Sequence, residues 1–237
     1  MIDDDATVAR ARRWLDAARV HPGRAPSWMD PLLAGLGTAQ PGDISRNDHP
    51  ADHVGPRQSA VLVLLALGDD GPEVVLERRA RRLRHHSGEM SFPGGRRDEG
   101  DADPVATAVR EAVEETGLRP SGVDAVALFP RLVLLTGFHV TAVLAHWHTP
   151  GPLAAVDPRE TEAVLRVPLA SLADPAHRFA LRAGGGRWRG PGFRVGDDVV
   201  WGYTGEVLDA VLRFGGWHRP WTPGPEQVWE ELARRPD

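Results

Sequence analysis

Hydrophobic positions along the chain follow the period of buried strands in some segments and of amphipathic helices in others. A continuous apolar run at residues 60–67 predicts a buried strand. Shorter apolar runs bounded by turn residues predict further strands at residues 73–78, 90–92, 123–129, 138–147, 163–167 and 199–201. Because strands and helices alternate along the chain, we predict an α/β fold around one sheet.

Helical patterns cover four segments, at residues 6–20, 104–116, 168–173 and 204–214. The second of these has the clearest limits. Asp103 and Pro104 are a typical N-cap and first-turn pair, and Gly117 is a typical helix stop. Residues 182–196 are rich in Gly and Arg, and they predict a hairpin or a mobile loop.

Changes in composition divide the chain into three parts. Residues 1–56 combine the first helix with a connecting arm rich in Pro, Gly and Asp, over residues 21–56. Residues 57–215 contain the predicted sheet and its helices, and residues 216–237 are expected to form a peripheral tail with a short helix. A chain of 237 residues is long enough for one sizeable core with such extensions.

Charge and cysteine content exclude several classes of protein. The formal net charge is −5, which argues against a general binder of nucleic acid or of membrane surfaces. The chain has no cysteine, which excludes disulfides, thiolate catalysis and zinc–cysteine sites. Its early residues are acidic and no run approaches a membrane span, so we expect no secretory signal and a cytoplasmic location.

The helix predicted at residues 104–116 has an acidic face. Glu111, Glu114 and Glu115 fall within an arc of about 100°, opposite an apolar face. Neighbouring carboxylates repel one another unless a cation neutralises them. Mg²⁺ or Mn²⁺ suits an oxygen-only ligand set, whereas zinc does not. Taken alone, the three glutamates fit a merely solvated helix face better.

The residues before this helix favour the metal-binding hypothesis over the solvated face. Gly94 and Gly95 precede an acidic loop that includes Asp101, and glycine allows the backbone to approach a ligand closely. Arg110 could pair with Glu114 one turn later, or reach back toward the glycine turn and orient an acidic side chain. We favour an orienting role for this arginine over contact with a substrate.

A basic segment lies immediately upstream of the glycine turn. It contains the residues Arg78, Arg79, Arg81, Arg82, Arg84, His85 and His86. Guanidinium groups bind phosphate well, so an anionic substrate is one interpretation. A solvated strand edge and loop is the other interpretation, and it holds for any single arginine. Nucleic-acid binding is a third, but the segment is short and lacks interleaved aromatic residues.

The order of these residues resembles the signature of the Nudix hydrolases. The matching positions are Gly95, Asp101, Arg110, Glu111, Glu114, Glu115 and Gly117. The gap between Asp101 and Arg110 is one residue longer than the general pattern, and Asp101 stands where most members have glutamate. Over residues 59–215, the resemblance implies a Nudix α/β/α sandwich around a mixed β-sheet.

A second signature is similar to that of the coenzyme A diphosphatase branch of this family. Its matching positions are Leu76, Arg79, Ala80, Arg84, Gly88, Phe92, Pro93, Gly94 and Gly95. Both departures from the general signature also look like features of this branch. Glu77 stands where the branch usually has threonine, a mismatch that we expect to leave the metal chemistry untouched.

The resemblance implies a role for each matching residue. Glu111, Glu115, Glu114 and the Gly95 carbonyl are the implied metal ligands, and the implied cofactor is Mg²⁺ or Mn²⁺. Glu114 is also the candidate base, and Arg110 is the orienting residue. Glu160 is a further catalytic residue, as an extra ligand or base, with a solvated surface residue as the alternative. Arg79, Arg84, Gly88, Phe92 and Gly94 are the implied substrate-binding residues.

The implied partner is a small molecule, coenzyme A or a related nucleotide, with neither nucleic acid nor membrane, and the chain could form a homodimer. The main alternative is a Nudix hydrolase of NADH, ADP-ribose or a nucleoside triphosphate. A nucleotide sensor without catalysis is less favoured, because Glu111, Glu114 and Glu115 are all present. Trp201 and Tyr203 could line an adenine pocket, although buried packing fits them better.

Overall fold

A computed structural model describes residues 3–45, 57–81, 88–134 and 136–228. The helices are α1 (Asp3–Asp16), α2 (Asp30–Leu36), α3 (Pro41–Ile44), α4 (Pro104–Thr116), α5 (Leu169–Ala173) and α6 (Gly202–Phe214). The strands are β1 (Gln58–Gly68), β2 (Gly71–Arg79), β3 (Met90–Ser91), β4 (Gly94–Arg96), β5 (Val123–Leu128), β6 (Leu132–Val133), β7 (His139–Trp147), β8 (Thr161–Pro168), β9 (Arg178–Ala183), β10 (Trp188–Val195), β11 (Asp198–Val200) and β12 (Gln227–Val228).

The main sheet has eight strands and is mixed. Its central order is β3-β2-β1-β7-β5, with β4 paired to β1, β6 to β7 and β8 to β2. Strands β1 and β7 run parallel, with Ser59 opposite Val140, and the other described pairings of this sheet are antiparallel. The predicted mixed sheet is therefore confirmed.

Helices cover both faces of this sheet. Successive side chains of a strand point to opposite faces, so the apolar run of β1 supplies two cores at once. Leu62 and Leu64 pack in one core with Ala108 of α4, whereas Val63 packs in the other with Leu208 of α6. The α/β/α sandwich is confirmed, and α4 lies directly on the face that β1 and β2 share.

A second sheet of four strands contradicts the prediction of a single sheet. Its order is β11-β10-β9-β12, and β9 and β10 form the hairpin that was one of two predictions for residues 182–196. Helix α6 packs beside β10, since a side chain at Gly205 would approach the Pro191 carbonyl oxygen to 2.8 Å. The hairpin of β9 and β10 therefore belongs to the second sheet, and α6 packs beside it.

The segments at the two ends differ from their predictions. Helix α1 ends at Asp16, four residues before the limit predicted for it. The predicted connecting arm contains α2 and α3, whose Leu32 and Ile44 are buried in the core. In the tail, Gln227–Val228 pairs in parallel with β9, and no helix is present within residues 216–228.

None of the helices in the described part of the chain is long and apolar enough to cross a membrane.

Candidate active site

The glycine turn brings β4 into close contact with two neighbouring elements. Gly94 lies opposite Val61 of β1, and a side chain on Gly94 would approach the Ala60 carbonyl oxygen to 2.5 Å. A side chain on Gly95 would lie 2.5 Å from the carboxyl carbon of Glu111. Glycine at these two positions therefore lets β4 pair with β1 and lets the Glu111 carboxylate rest against the backbone.

Helix α4 has the limits that the sequence predicts. The Asp103 side chain accepts a hydrogen bond of 2.8 Å from the Ala106 N–H, which caps the first turn. Gly117 ends the helix in the left-handed region, with φ of 68°, where glycine is not strained. Ala108 and Ala112 are buried against the sheet, so the glutamate face of the helix turns toward the glycine turn.

Arg110 connects the acidic loop with the acidic helix face. Its Nε and Nη2 donate to the two carboxylate oxygens of Asp101 at 3.0 Å, and Nη2 also donates to the Arg96 carbonyl at 3.0 Å. Its Nη1 lies 3.0 Å from Glu111 Oε1 and 3.1 Å from Glu114 Oε2. Both contacts predicted for this arginine therefore occur together. This set of bonds is called the Arg110 clamp below.

Asp101 is the fixed end of the Arg110 clamp. Besides Arg110, the Thr107 hydroxyl and the Asp98 N–H each donate to its Oδ2 at 2.8 Å. Burial alone would raise the pKa of Asp101, but the bonds from Arg110, the Asp98 backbone and Thr107 outweigh burial and lower the pKa to about 2. Asp101 is consequently a permanent anion near neutral pH.

Glu115 lies deeper than the other glutamates of α4. Its side chain is 10% exposed, and its Oε2 accepts a hydrogen bond of 2.8 Å from the Gly94 N–H. Burial and then repulsion from Glu77 raise the pKa of Glu115 to about 9. Glu77 has no exposed surface, and burial raises its pKa as well. Glu77 therefore influences the charge of Glu115, and its expected lack of effect on the metal chemistry stays a prediction.

The donor set suits a hard divalent cation. Glu111, Glu115 and the Gly95 carbonyl supply only oxygen, and Mg²⁺ is commonly held by one or two carboxylates completed by water and phosphate. Across the residues with described positions, no three acidic or histidine side chains form a ready-made metal cage. In this structure Glu111 pairs with Arg110, and Glu115 accepts a hydrogen bond from the Gly94 N–H. The oxygen ligands fit, and water and substrate would complete the shell.

The two remaining candidate acids are more exposed. Glu114 is 57% exposed, so its carboxylate can meet solvent while it stays hydrogen-bonded to Arg110. Glu160 is also exposed, and its carbonyl accepts the Ala80 N–H at 2.8 Å, which places it beside the end of β2. Their catalytic roles remain predictions.

The predicted substrate-binding residues separate into different environments. Arg79 lies at the site, with its Nη1 3.9 Å from Glu115 Oε1. Gly88 forms a turn before β3 with φ of 68°, and Arg84 lies outside the described residues. The Phe92 side chain is 2% exposed and packs in the core. The substrate role predicted for the Phe92 side chain is therefore corrected to core packing.

Sequence reasoning missed the participation of Glu77. Alternation along β2 was the available indication, because Val75 and Glu77 must point to the same face. Val75 packs in the core beneath α4, so Glu77 also faces that helix. Trp201 meets Trp188 edge-on at 5.4 Å and Tyr203 packs against the core, which agrees with the packing interpretation of both residues.

Comparisons with known proteins agree with this geometry. A family model described as the NUDIX domain matches residues 56–184. Nudix hydrolase 15, mitochondrial, of Arabidopsis thaliana is 39% identical over 171 residues, which cover 66% of this chain and 58% of that protein. The uncharacterized Nudix hydrolase NudL of Shigella flexneri is 37% identical over 175 residues, which cover 71% of this chain and 87% of that protein.

The chain spans little more than half the length of its Arabidopsis thaliana relatives. A solved structure, the Nudix hydrolase RenU from M. smegmatis, is 25% identical and covers 49% of this chain and 73% of its own, with a TM-score of 0.42. The family match confirms the predicted resemblance to the Nudix hydrolases, whereas the predicted domain limits of 57–215 stay a prediction. The names of these relatives specify no coenzyme A substrate, so the branch also stays a prediction.

Replacement of Asp101 by Asn should destabilise the protein. The substitution removes the anion that binds Arg110 through two bonds, and hydrogen bonds to charged groups contribute about 1.5–3 kcal/mol. We expect urea denaturation to show a loss of that size. Asp98→Asn is the matched control, because the Asp98 side chain is 70% exposed and 3.9 Å from Arg110. Equal losses in the two variants would contradict the clamp.

The metal-free protein should lose stability as pH rises. Folded Glu115 keeps its proton up to a pKa of about 9, whereas an ordinary glutamate loses it near 4.5. Folding therefore takes up a proton between these values, and the free energy of unfolding falls with pH by at most about 1.4 kcal/mol per unit. Below about pH 4.5, both states are protonated and the penalty is absent.

Denaturation in a chelator between pH 6 and pH 9 measures this slope. Addition of a divalent cation should stabilise the protein more at pH 9 than at pH 6, because the cation replaces the proton on Glu115. Glu115→Gln should flatten the profile. A wild-type profile that is already flat in chelator would exclude a raised pKa for this carboxyl.

Proposed function

We propose that this chain, which belongs to the Nudix family, hydrolyses the diphosphate bond of coenzyme A or its derivatives. The products are adenosine 3′,5′-bisphosphate and 4′-phosphopantetheine or its acyl form, and the cofactor is Mg²⁺ or Mn²⁺. The main support is the Arg110 clamp, which gathers Asp101, Glu111 and Glu114 beside the glycine turn. A cytoplasmic location and a homodimer remain predictions.

Two observations support a diphosphate as the reacting group. The site combines acidic oxygen ligands for a cation with Arg79 at its inner edge. A guanidinium offers several donors in one plane and binds phosphate oxygens well. Cationic and metal-binding groups therefore lie side by side, as hydrolysis of an anionic phosphoanhydride requires.

The choice of coenzyme A rests on the second signature. It runs from Leu76 to Gly95 and joins the metal-binding signature at the glycine turn. Coenzyme A adds a 3′-phosphate to its diphosphate, and the basic segment around Arg79 offers it further positive charge. Other nucleoside diphosphate derivatives lack that phosphate, which makes it the feature to test.

The proposed mechanism gives each residue one task. When bound, a divalent cation neutralises diphosphate oxygens and lowers the pKa of a coordinated water. Glu111, Glu115 and the Gly95 carbonyl would hold the cation, and Arg110 orients Glu111 and Glu114. Glu114 accepts a proton from the attacking water, whose oxygen bonds to one phosphorus while the bridging P–O bond breaks. The bridging oxygen leaves with the other phosphate.

Replacement of Glu114 by Gln should reduce turnover strongly. The change preserves size but removes the proton acceptor, and loss of a general base lowers turnover by about 10²–10⁴-fold. Steady-state assays with coenzyme A and Mg²⁺ measure this effect. Stability should change little, because Glu114 is 57% exposed. Glu99→Gln, in the preceding loop, is the control with normal turnover. Near-normal turnover of Glu114→Gln would assign the base elsewhere.

Product identification tests the substrate. The purified protein is incubated with Mg²⁺ or Mn²⁺ and with coenzyme A, NADH, ADP-ribose or a nucleoside triphosphate, and the products are identified by mass. We expect adenosine 3′,5′-bisphosphate and phosphopantetheine to form fastest. Dephospho-coenzyme A should react more slowly, because it lacks the 3′-phosphate.

The other outcomes of this assay are equally decisive. Preferential cleavage of another compound would keep the metal-dependent mechanism and remove the coenzyme A assignment. Cleavage of none, with metal-dependent nucleotide binding, would favour a sensor.

A further inference from the structure

The Glu77 side chain lies next to the predicted metal ligands. It lies on the face of β2 that α4 covers, two residues after Val75, and it has no exposed surface. Carboxylates are rarely fully buried unless they are paired. Its burial beneath an acidic helix therefore requires partners.

Those partners come from β3 and β8, two of the strands that pair with β2. The Ser91 hydroxyl of β3 donates to Glu77 Oε1 at 3.2 Å, and the Thr161 hydroxyl of β8 donates to Oε2 at 3.0 Å. Both carboxylate oxygens are thus engaged from the sides of the strand. Glu77 is therefore held in one position within the sheet.

Arg79 connects Glu77 to Glu115. Its Nη1 lies 3.6 Å from Glu77 Oε1 and 3.9 Å from Glu115 Oε1. An uncompensated guanidinium at this place would oppose a divalent cation at Glu115, because like charges in a poorly solvated region repel strongly. The Glu77 carboxylate, next to the same Nη1 atom, can supply the compensating charge.

We propose that Glu77 is a positioning residue whose charge neutralises Arg79, so that an arginine for phosphate and a carboxylate for the cation can share one site. The proposal rests on the proposed function for the identity of the metal site. A neutral residue such as threonine at this position would carry no charge to offset Arg79.

Mn²⁺ binding without substrate tests the proposal. The full chain, Glu77→Gln and Glu77→Thr are titrated with Mn²⁺ at one pH, and free Mn²⁺ is followed by electron paramagnetic resonance. We expect both variants to weaken binding by about 10–100-fold, the usual effect of losing a group that supports a metal ligand. Glu73→Gln, in the same strand but paired with Arg166, should bind as the wild type does.

A second pair of variants separates neutralisation from direct ligation. Arg79→Gln alone should bind Mn²⁺ at least as tightly as the wild type, and the double variant Glu77→Gln with Arg79→Gln should recover most of the lost affinity. Without recovery, Glu77 would be a ligand, and the proposal would be overturned. Because Arg79→Gln leaves Glu77 in place, its result decides the question even if the Glu77 variants fold poorly: weaker binding would also overturn the proposal.

The metal titration and the substrate assay can fail independently. Weakened and recovered Mn²⁺ binding in a protein that cleaves no coenzyme A would remove the proposed function and keep the role of Glu77. If the protein hydrolyses coenzyme A but Glu77→Gln binds Mn²⁺ as the wild type does, the proposed function would stand and the role of Glu77 would be overturned. Glu111→Gln, which should abolish binding, identifies the titrated site as the one on α4.

Discussion

The paired bonds between Arg110 and Asp101 are the constraint on which the site depends. One guanidinium holds the loop before α4 through Asp101 and the Arg96 carbonyl, and the helix face through Glu111 and Glu114. Without this anchor the two glutamates could turn away from the glycine turn, since a long side chain has many rotamers. The Arg110 clamp therefore fixes the positions of the Glu111 and Glu114 carboxylates, which helical spacing alone does not determine.

This arrangement brings carboxylates together where solvation is poor. Glu77 has no exposed surface, the Glu115 side chain is 10% exposed, and Arg79 lies between them. Buried charge is expensive unless it is paired, so ionisation of Glu115 in the metal-free protein carries a penalty, which its raised pKa expresses. A bound cation offsets that penalty, and the net free energy of metal binding is smaller by the same amount. The cost of ionising these buried carboxylates is thus a consequence of placing them where a cation can bind.

The parts of the structure that sequence could predict are those that local contacts determine. Helix α4 was predicted with the correct limits because Asp103 and Gly117 act within one turn of it. A hairpin in the second sheet was one of two predictions, because β9, β10 and β11 pair with neighbours in sequence, whereas the pairing of β9 with β12 was not predicted, since it joins distant segments. Glu77 was underestimated for the same reason: one of its partners, Thr161, lies 84 residues away. Thr161 becomes a neighbour of Glu77 only when the chain is folded.

The strand that contains Glu77 and Arg79 also joins the site to the second sheet. Arg78, between them, donates to Asp198 of β11 at 2.8 Å and lies 3.7 Å from Glu162 of β8. Neighbouring residues of a strand point to opposite faces. Glu77 and Arg79 therefore face the predicted metal site, whereas Arg78 faces the second sheet. The helix that contains the predicted metal ligands has limits set by local signals, whereas the position of β2 depends on pairing with β1, β3 and β8.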